Sequence, residues 1–202
     1  MEFKGFPKMA RLSREIIVTE KIDGTNAQVF ITDDGDVMAG SRTRWIYPGD
    51  DNFGFAAWVQ EHRDELLTLG PGQHFGEWWG RGIQRGYGVP DKRFSLFNVM
   101  RWALHGTEPQ TFPTGDPRVT RTQDVLPLCC GLVPLLFRGL FDMEHVDFTI
   151  GQLMTGGSRA APGFMKPEGV VVYHTAAGVA FKKTLDNDGR PKSTVRNEYC
   201  NV

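Results

Sequence analysis

Residues 15–32 read EIIVTEKIDGTNAQVFIT. Two apolar, β-branched runs, EIIVT and AQVFIT, flank a short polar segment holding Lys21, Asp23 and Gly24. β-branched residues favour strands, and Asp-Gly is a strong tight-turn signal. The stretch therefore predicts two strands joined as a hairpin. Taken alone, Lys21 reads as a solvated turn residue. A different role for it needs partners elsewhere in the chain.

Working outward, the same vocabulary recurs. DVMAGSRTRWI reads as an interrupted strand, FGEWWG as a short aromatic strand, RFSLFNVMRW as an alternating strand and GLVPLLFRG as a short one. APGFMKPEGVVVYH runs into a buried strand, and GVAFKKTL returns as its hairpin partner. RGIQRGYGVPDK is a Gly-rich loop, and residues 105–122 carry the Pro, Thr, Gly and Asp content of a loop. Two helices are expected. One runs from a cap at Asp50-Asp51 to about Leu69, with Phe55, Val59, His62 and Leu66 on one stripe and Gly70 as its stop. The other is DFTIGQLMTGG, capped by Asp147. Strands outnumber helices and connect mostly by hairpins, which argues an α+β fold with antiparallel β-sheets flanked by helices. One domain over residues 1–202 is expected, with a polar tail from about residue 186.

Composition narrows the function. The chain has 202 residues, 23 Lys+Arg against 24 Asp+Glu, and a formal net charge of −1. A bulk electrostatic grip on nucleic acid is excluded, so a polyanion must be held by a local basic site. The three cysteines, Cys129, Cys130 and Cys200, make neither a disulfide framework nor a zinc spacing. The five histidines add no ligand spacing, which leaves a metal-storage or redox role without support. Reduced thiols, no signal-peptide pattern and no membrane-spanning stretch predict a soluble, cytoplasmic protein.

Several residues have ordinary readings one at a time. Glu77 can be a structural carboxylate, Glu168 a turn residue before Gly169, Arg42 a surface arginine, Phe97 a core residue, and Lys182-Lys183 a solvated edge. Together they are what lysine–nucleotide transfer needs. A lysine must be deprotonated to attack phosphorus, and partial burial, a neighbouring cation or a metal each favour the neutral amine. A triphosphate needs a divalent ion and a lysine or arginine to neutralise its charge. Mg2+ binds through few carboxylates, which suits Asp23, Glu77 and Glu168. Adenine needs a flat apolar partner, for which Phe97 is the candidate.

In chain order, KIDGTN, SRTR, FGEWWG, FSLFNV, PEGVVV and AFKK resemble the six motifs of the covalent nucleotidyltransferase superfamily of nucleic-acid ligases and mRNA capping enzymes. EKIDGTN and GEWWGRGIQRGYG are most similar to ATP-dependent RNA ligases of the phage RNA ligase 2 type. DNA ligases usually carry an arginine where Asn26 stands.

The resemblance implies a nucleotidyltransferase (ATP-grasp-like) domain; as a departure from most ligases, no second C-terminal domain is expected after the last motif. It implies an ATP-dependent RNA ligase acting in RNA repair with Mg2+ or Mn2+. Lys21 would carry AMP and pass it to an RNA 5′-phosphate, which is then sealed to a 3′-hydroxyl. Glu20 and the Ile22 backbone would read adenine, and Phe97 would stack on it. Arg42 and Glu77 would hold the ribose and position Lys21. Asn26 would contact phosphate, Glu168 would support the metal and Lys182 the α-phosphate. A partner protein could supply a substrate clamp.

The lysines of AFKK are adjacent where the family usually has Lys-x-Lys. Alternation predicts that Val179, Phe181 and Lys183 share a face, with Val179 and Phe181 packed on the core and Lys183 in water, while Lys182 faces the nucleotide. A DNA ligase, a capping-type enzyme and an end-binding module without turnover remain the alternatives.

Overall fold

The computed structural model describes residues 2–6, 8–114, 118–186 and 188. In chain order the strands are β1 (Glu15–Lys21), β2 (Thr25–Ile31), β3 (Val37–Ser41), β4 (Trp45–Ile46), β5 (Gly72–Gly80), β6 (Lys92–Leu96), β7 (Trp102–Ala103), β8 (Thr111–Pro113), β9 (Thr120–Thr122), β10 (Asp124–Val125), β11 (Cys130–Leu132), β12 (Leu135–Leu140), β13 (Gly169–His174) and β14 (Val179–Thr184). The helices are α1 (Phe55–Glu61), α2 (Arg63–Leu66) and α3 (Met143–Gly156). The fold is mixed α+β with largely antiparallel sheets and few helices. The chain groups into two compact units, one of Ile22–Pro134 and one formed by the described residues on either side of it.

The flanking unit holds a four-stranded sheet in the order β12-β1-β13-β14. Strand β1 pairs antiparallel with β12 and β13, Lys21 lying opposite Gly169. Alternate residues of β1 and β13 (Ile16, Val18, Val170, Val172) pack against Val146, Ile150 and Leu153 of α3. Those three helical positions recur at spacings of four and three, the stripe that one helix face buries. Asp142, not Asp147, caps α3: its side chain accepts the Glu144 N–H, and the cap lies five residues earlier than expected.

The central unit holds a six-stranded sheet in the order β11-β6-β5-β2-β3-β4. One face of it (Ala27, Val29, Ile31, Trp78, Phe94, Leu96) packs against Phe55, Val59, Leu66 and Leu69. Phe55 is the hub, with ring centroids 5.3 Å from Trp78 and 5.0 Å from Phe94. The helical stretch starts at Phe55 rather than at the acidic pair. Asp51 still serves its N-terminus, accepting the N–H groups of Ala56 and Ala57. The stretch breaks at His62, where one continuous helix was expected, and ends at Gly70, as the sequence led us to expect.

Two further expectations are corrected. Strands β1 and β2 exist where expected, each reaching two residues nearer the Asp23-Gly24 segment, but they do not form a hairpin. Each pairs in a different sheet, β1 with β12 and β13, β2 with β3 and β5. Residues 105–122 are not all loop, because β8 and β9 form a short antiparallel hairpin there, with Thr111 opposite Thr122. The tail expected from about residue 186 falls largely outside the described residues.

Candidate active site

In the flanking unit, Lys21 ends β1 and Glu168 immediately precedes β13. The Lys21 Nζ donates to Glu168 Oε2 at 2.6 Å, with Glu168 only 1% exposed and Lys21 23%. Gly169 permits this geometry. Its φ is +150°, and a Cβ there would stand 2.2 Å from the Lys183 carbonyl oxygen. The pair joins residues 147 positions apart in sequence.

The register decides which side chains share the face of Lys21. Directly opposed residues of an antiparallel pair point to the same side. Lys21 lies opposite Gly169, Thr19 opposite Val171, and Val171 opposite Lys182, so Lys21 and Lys182 share one face. Lys183 lies opposite Val170 on the α3 face, where its ammonium pairs with Asp147 rather than resting in water. Val179 and Phe181 share that face, yet they are 45% and 60% exposed and do not pack on the core as expected. They lie opposite His174 and Val172, toward the far end of the edge strand β14.

Glu20 also points to the α3 side. Its carboxylate, 1% exposed, accepts from Ser158 Oγ and from the N–H groups of Arg159 and Ala160. Three donors compensate a charge that burial alone would make costly. The Glu20 side chain therefore ties β1 to the segment after α3.

In the central unit, the residues after Lys21 are held one by one. Ile22 is buried. The Asp23 N–H donates to Tyr87 Oη at 2.8 Å, and Arg85 Nε donates to Asp23 Oδ2 at 3.0 Å. The Gly24 N–H donates to Glu77 Oε1 at 3.0 Å, and Asn26 Nδ2 donates to Glu77 Oε2 at 3.2 Å. A Cβ on Gly24 would stand 2.4 Å from the Trp78 carbonyl oxygen, so only glycine fits there.

Asn26 on β2 lies opposite Glu77 on β5, which lies opposite Ser95 on β6. Phe97, just past β6, donates its N–H to the Phe75 carbonyl. Phe97 is 41% exposed, so it is not a core residue. Arg42 is exposed in the turn that follows β3.

Sequence reasoning missed Arg85 and Tyr87. The available signal was a charged and an aromatic side chain set among the glycines of GRGIQRGYG. Tyr87 has φ +53° and is 2% exposed, and its ring packs edge-on against Trp79. A bulky residue with positive φ is strained and needs its surroundings to hold it there.

A second cluster in the central unit was also missed. His62 Nδ1 lies 3.1 Å from Glu65 Oε1, Glu65 Oε2 accepts the Cys129 N–H at 3.2 Å, and the Cys129 and Cys130 sulfurs are 3.8 Å apart. The hydrogen bond from His62 holds the Glu65 carboxyl below its usual range. The neighbouring Cys129 thiol and burial push the Cys130 thiol up.

No helix among the described residues is long and apolar enough to cross a membrane.

The sequence pattern of the RNA ligase family matches residues 14–184. The fold is similar to solved structures of a Naegleria gruberi RNA ligase. One, a variant without ligand, superposes with a TM-score of 0.54 at 18% identity, covering 85% of this chain and 50% of that one. A second variant, with AMP and Mn, gives 0.53 at 19% identity over 85% and 49%. A third, with ATP and Mn, gives 0.53 at 16% identity over 94% and 52%. This chain thus spans about half the length of those proteins.

Proposed function

Because the chain belongs to the RNA ligase family, we propose that it is an ATP-dependent RNA ligase of the phage RNA ligase 2 type, in which Lys21 becomes covalently adenylylated. The observation that carries this reading is the Lys21–Glu168 pair: a partly exposed amine held at 2.6 Å by a buried carboxylate at a strand end. A structural surface lysine does not need a buried carboxylate partner.

Lys21 attacks the α-phosphorus of ATP as the neutral amine. Its nitrogen forms a bond to phosphorus, pyrophosphate leaves, and the amine proton goes to solvent or to the Glu168 carboxylate. AMP is then transferred to an RNA 5′-phosphate, and a 3′-hydroxyl displaces it to join the ends. Each step is a phosphoryl transfer in which positioning and charge neutralisation supply most of the catalysis. Lys182, on the same sheet face as Lys21, is assigned to the α-phosphate. Phe97 stacks on adenine, and Arg42 holds the ribose. Asn26 contacts phosphate. With the Glu20 carboxylate taken up by Ser158, Arg159 and Ala160, adenine reading falls to the backbones of Glu20 and Ile22.

Of the three carboxylates named for Mg2+ or Mn2+, Glu168 fits a hard cation best. It is an oxygen donor already facing one positive charge, the Lys21 ammonium. Asp23 is paired with Arg85, and both Glu77 oxygens hold the turn. When bound, the cation supplies charge neutralisation on the phosphates.

The assignment is tested by sealing. With ATP and Mg2+, the protein should join an RNA 3′-hydroxyl to an RNA 5′-phosphate. Lys21→Ala should fail on that substrate yet still join RNA that is already 5′-adenylylated. Failure of the wild type on both substrates would reject the ligase reading. Equal rates on all-DNA ends would reject the RNA preference.

A further inference from the structure

We propose that His62, Glu65 and Cys129 form a structural binding site for a zinc-class divalent cation, with the Cys130 thiol as fourth donor. The nitrogen, oxygen and sulfur donors of the first three residues all lie within 4.8 Å of one another. A four-coordinate zinc, with donors about 2.0 to 2.3 Å away, would draw them in to roughly 3.3 to 3.8 Å from one another. The Cys130 sulfur stands outside that group, 3.8 Å from the Cys129 sulfur, and would turn toward the ion to become the fourth donor. Thiolates about 2.3 Å from a tetrahedral zinc lie roughly 3.8 Å apart along a tetrahedral edge. A disulfide would need about 2.05 Å.

The scaffold around the donors is rigid. His62 sits at the break between α1 and α2, with φ −101° and ψ 19°. Glu65, three residues on, comes round to the same side of the helical stretch. The Trp58 ring packs on the His62 imidazole, centroids 4.9 Å apart, and fixes its plane. Glu65 is further oriented by the Cys129 N–H. Cys129 and Cys130 lie at the start of β11, whose parallel pairing with β6 sets Cys130 opposite Phe94. Both cysteines pack against the aromatic core. Glu65 lies at the exposed edge of the cluster, which gives an ion a route in from solvent.

The donor set also selects the ion. Thiolate with imidazole favours zinc and its neighbours, whereas Mg2+ and Mn2+ prefer oxygen alone. The site is therefore chemically separate from the ion used with ATP. All four residues belong to the central unit, and none is assigned to the adenylylation machinery. A bound ion would staple the α1–α2 segment to the start of β11.

The test uses the full chain, stripped with a chelator and kept reduced, and titrated with Co2+ as a spectroscopic stand-in for zinc. One equivalent should produce the near-ultraviolet thiolate-to-cobalt band and intense tetrahedral visible bands, which Zn2+ then abolishes. Cys129→Ser should at least halve the thiolate band, and His62→Gln should weaken binding at least about tenfold. Cys130→Ser should roughly halve the thiolate band, and an unchanged band would overturn the place of Cys130. Zn2+ should raise the melting temperature of the wild type and not of Cys129→Ser. Pale octahedral spectra without a thiolate band, in wild-type protein of native circular dichroism, would overturn the site. These readouts are independent of ligation, so their failure leaves the Lys21 reading standing.

Discussion

Two buried carboxylates, one in each unit, solve the same physical problem differently. Glu168 in the flanking unit faces a full charge, the Lys21 ammonium. Glu77 in the central unit faces dipoles, the Gly24 N–H and the Asn26 amide. A charge that meets a charge can be redistributed when a polyanion or a cation arrives. A charge held by backbone and amide dipoles fixes a turn. Under the proposed function, the difference gives Glu168 a part in the chemistry and leaves Glu77 to shape the Asp23-Gly24 segment.

The strongest way to break this comparison is to neutralise each carboxylate without changing its shape. In Glu77→Gln, the new carbonyl still accepts the Gly24 N–H, and Asn26 can turn its amide to complete the second hydrogen bond. Lysyl adenylylation should fall no more than about tenfold, because both hydrogen bonds are kept and only their charge assistance is lost. In Glu168→Gln the charge opposite Lys21 is lost, and the single-turnover rate should fall by about a hundredfold or more. Equal losses in the two variants would erase the distinction and return Glu77 to the metal-ligand role that the sequence suggests.

The adjacent lysines of β14 give the next contrast. Lys182 shares the face of Lys21, while Lys183 pairs with Asp147 on the α3 side. Lys182→Ala should slow adenylylation by about a hundredfold, the scale of losing one donor to developing charge. Lys183→Ala removes a partly exposed ion pair worth no more than about 1 kcal/mol and should change the rate by a few-fold at most. Single-turnover rates in the reverse order would overturn the face assignment.

A smaller effect is expected in the central unit. Tyr87→Phe leaves the buried Asp23 N–H without its phenolic acceptor and should cost about 1 to 3 kcal/mol of stability. Urea midpoints would show it, and an unchanged midpoint would mean that the positive-φ loop does not depend on this bond.

The smallest effect is a pH dependence confined to the central unit. Burial holds His74 below its usual value, outweighing the hydrogen bond to the Gly70 carbonyl. Its folded value is therefore below its unfolded one, and the unfolded state takes up the proton first as pH falls. The contribution of neutral His74 is intact above its unfolded value and is lost as pH drops through it. Between about pH 7.5 and about pH 5.5, the wild-type melting temperature should fall more than that of His74→Gln. Parallel curves would contradict this.

What could be seen in the sequence follows the range of the forces involved. The two strands around Lys21 and the stop at Gly70 were legible because propensity and turn chemistry are local. The hairpin between β1 and β2 was misread because Asp-Gly reports a local bend, not a pairing partner. The partners are Gly169 for Lys21 and Glu77 for Asn26, both far along the chain. For β14, alternation assigned the faces correctly but not the burial, because the sequence does not say how far α3 reaches. The start of α3 was missed because two aspartates compete as caps, and the earlier one wins. His62, Glu65 and Cys129 gave only an i,i+3 spacing for the first two, with the third 64 residues further on.

The central claim is tested most directly by the intact mass of the protein after incubation with ATP and Mg2+, followed by peptide mapping. The account predicts one added AMP, acid-labile as a phosphoramidate is, on Lys21 and absent in Lys21→Ala. No adduct on the wild type, or an adduct on another residue, would contradict it.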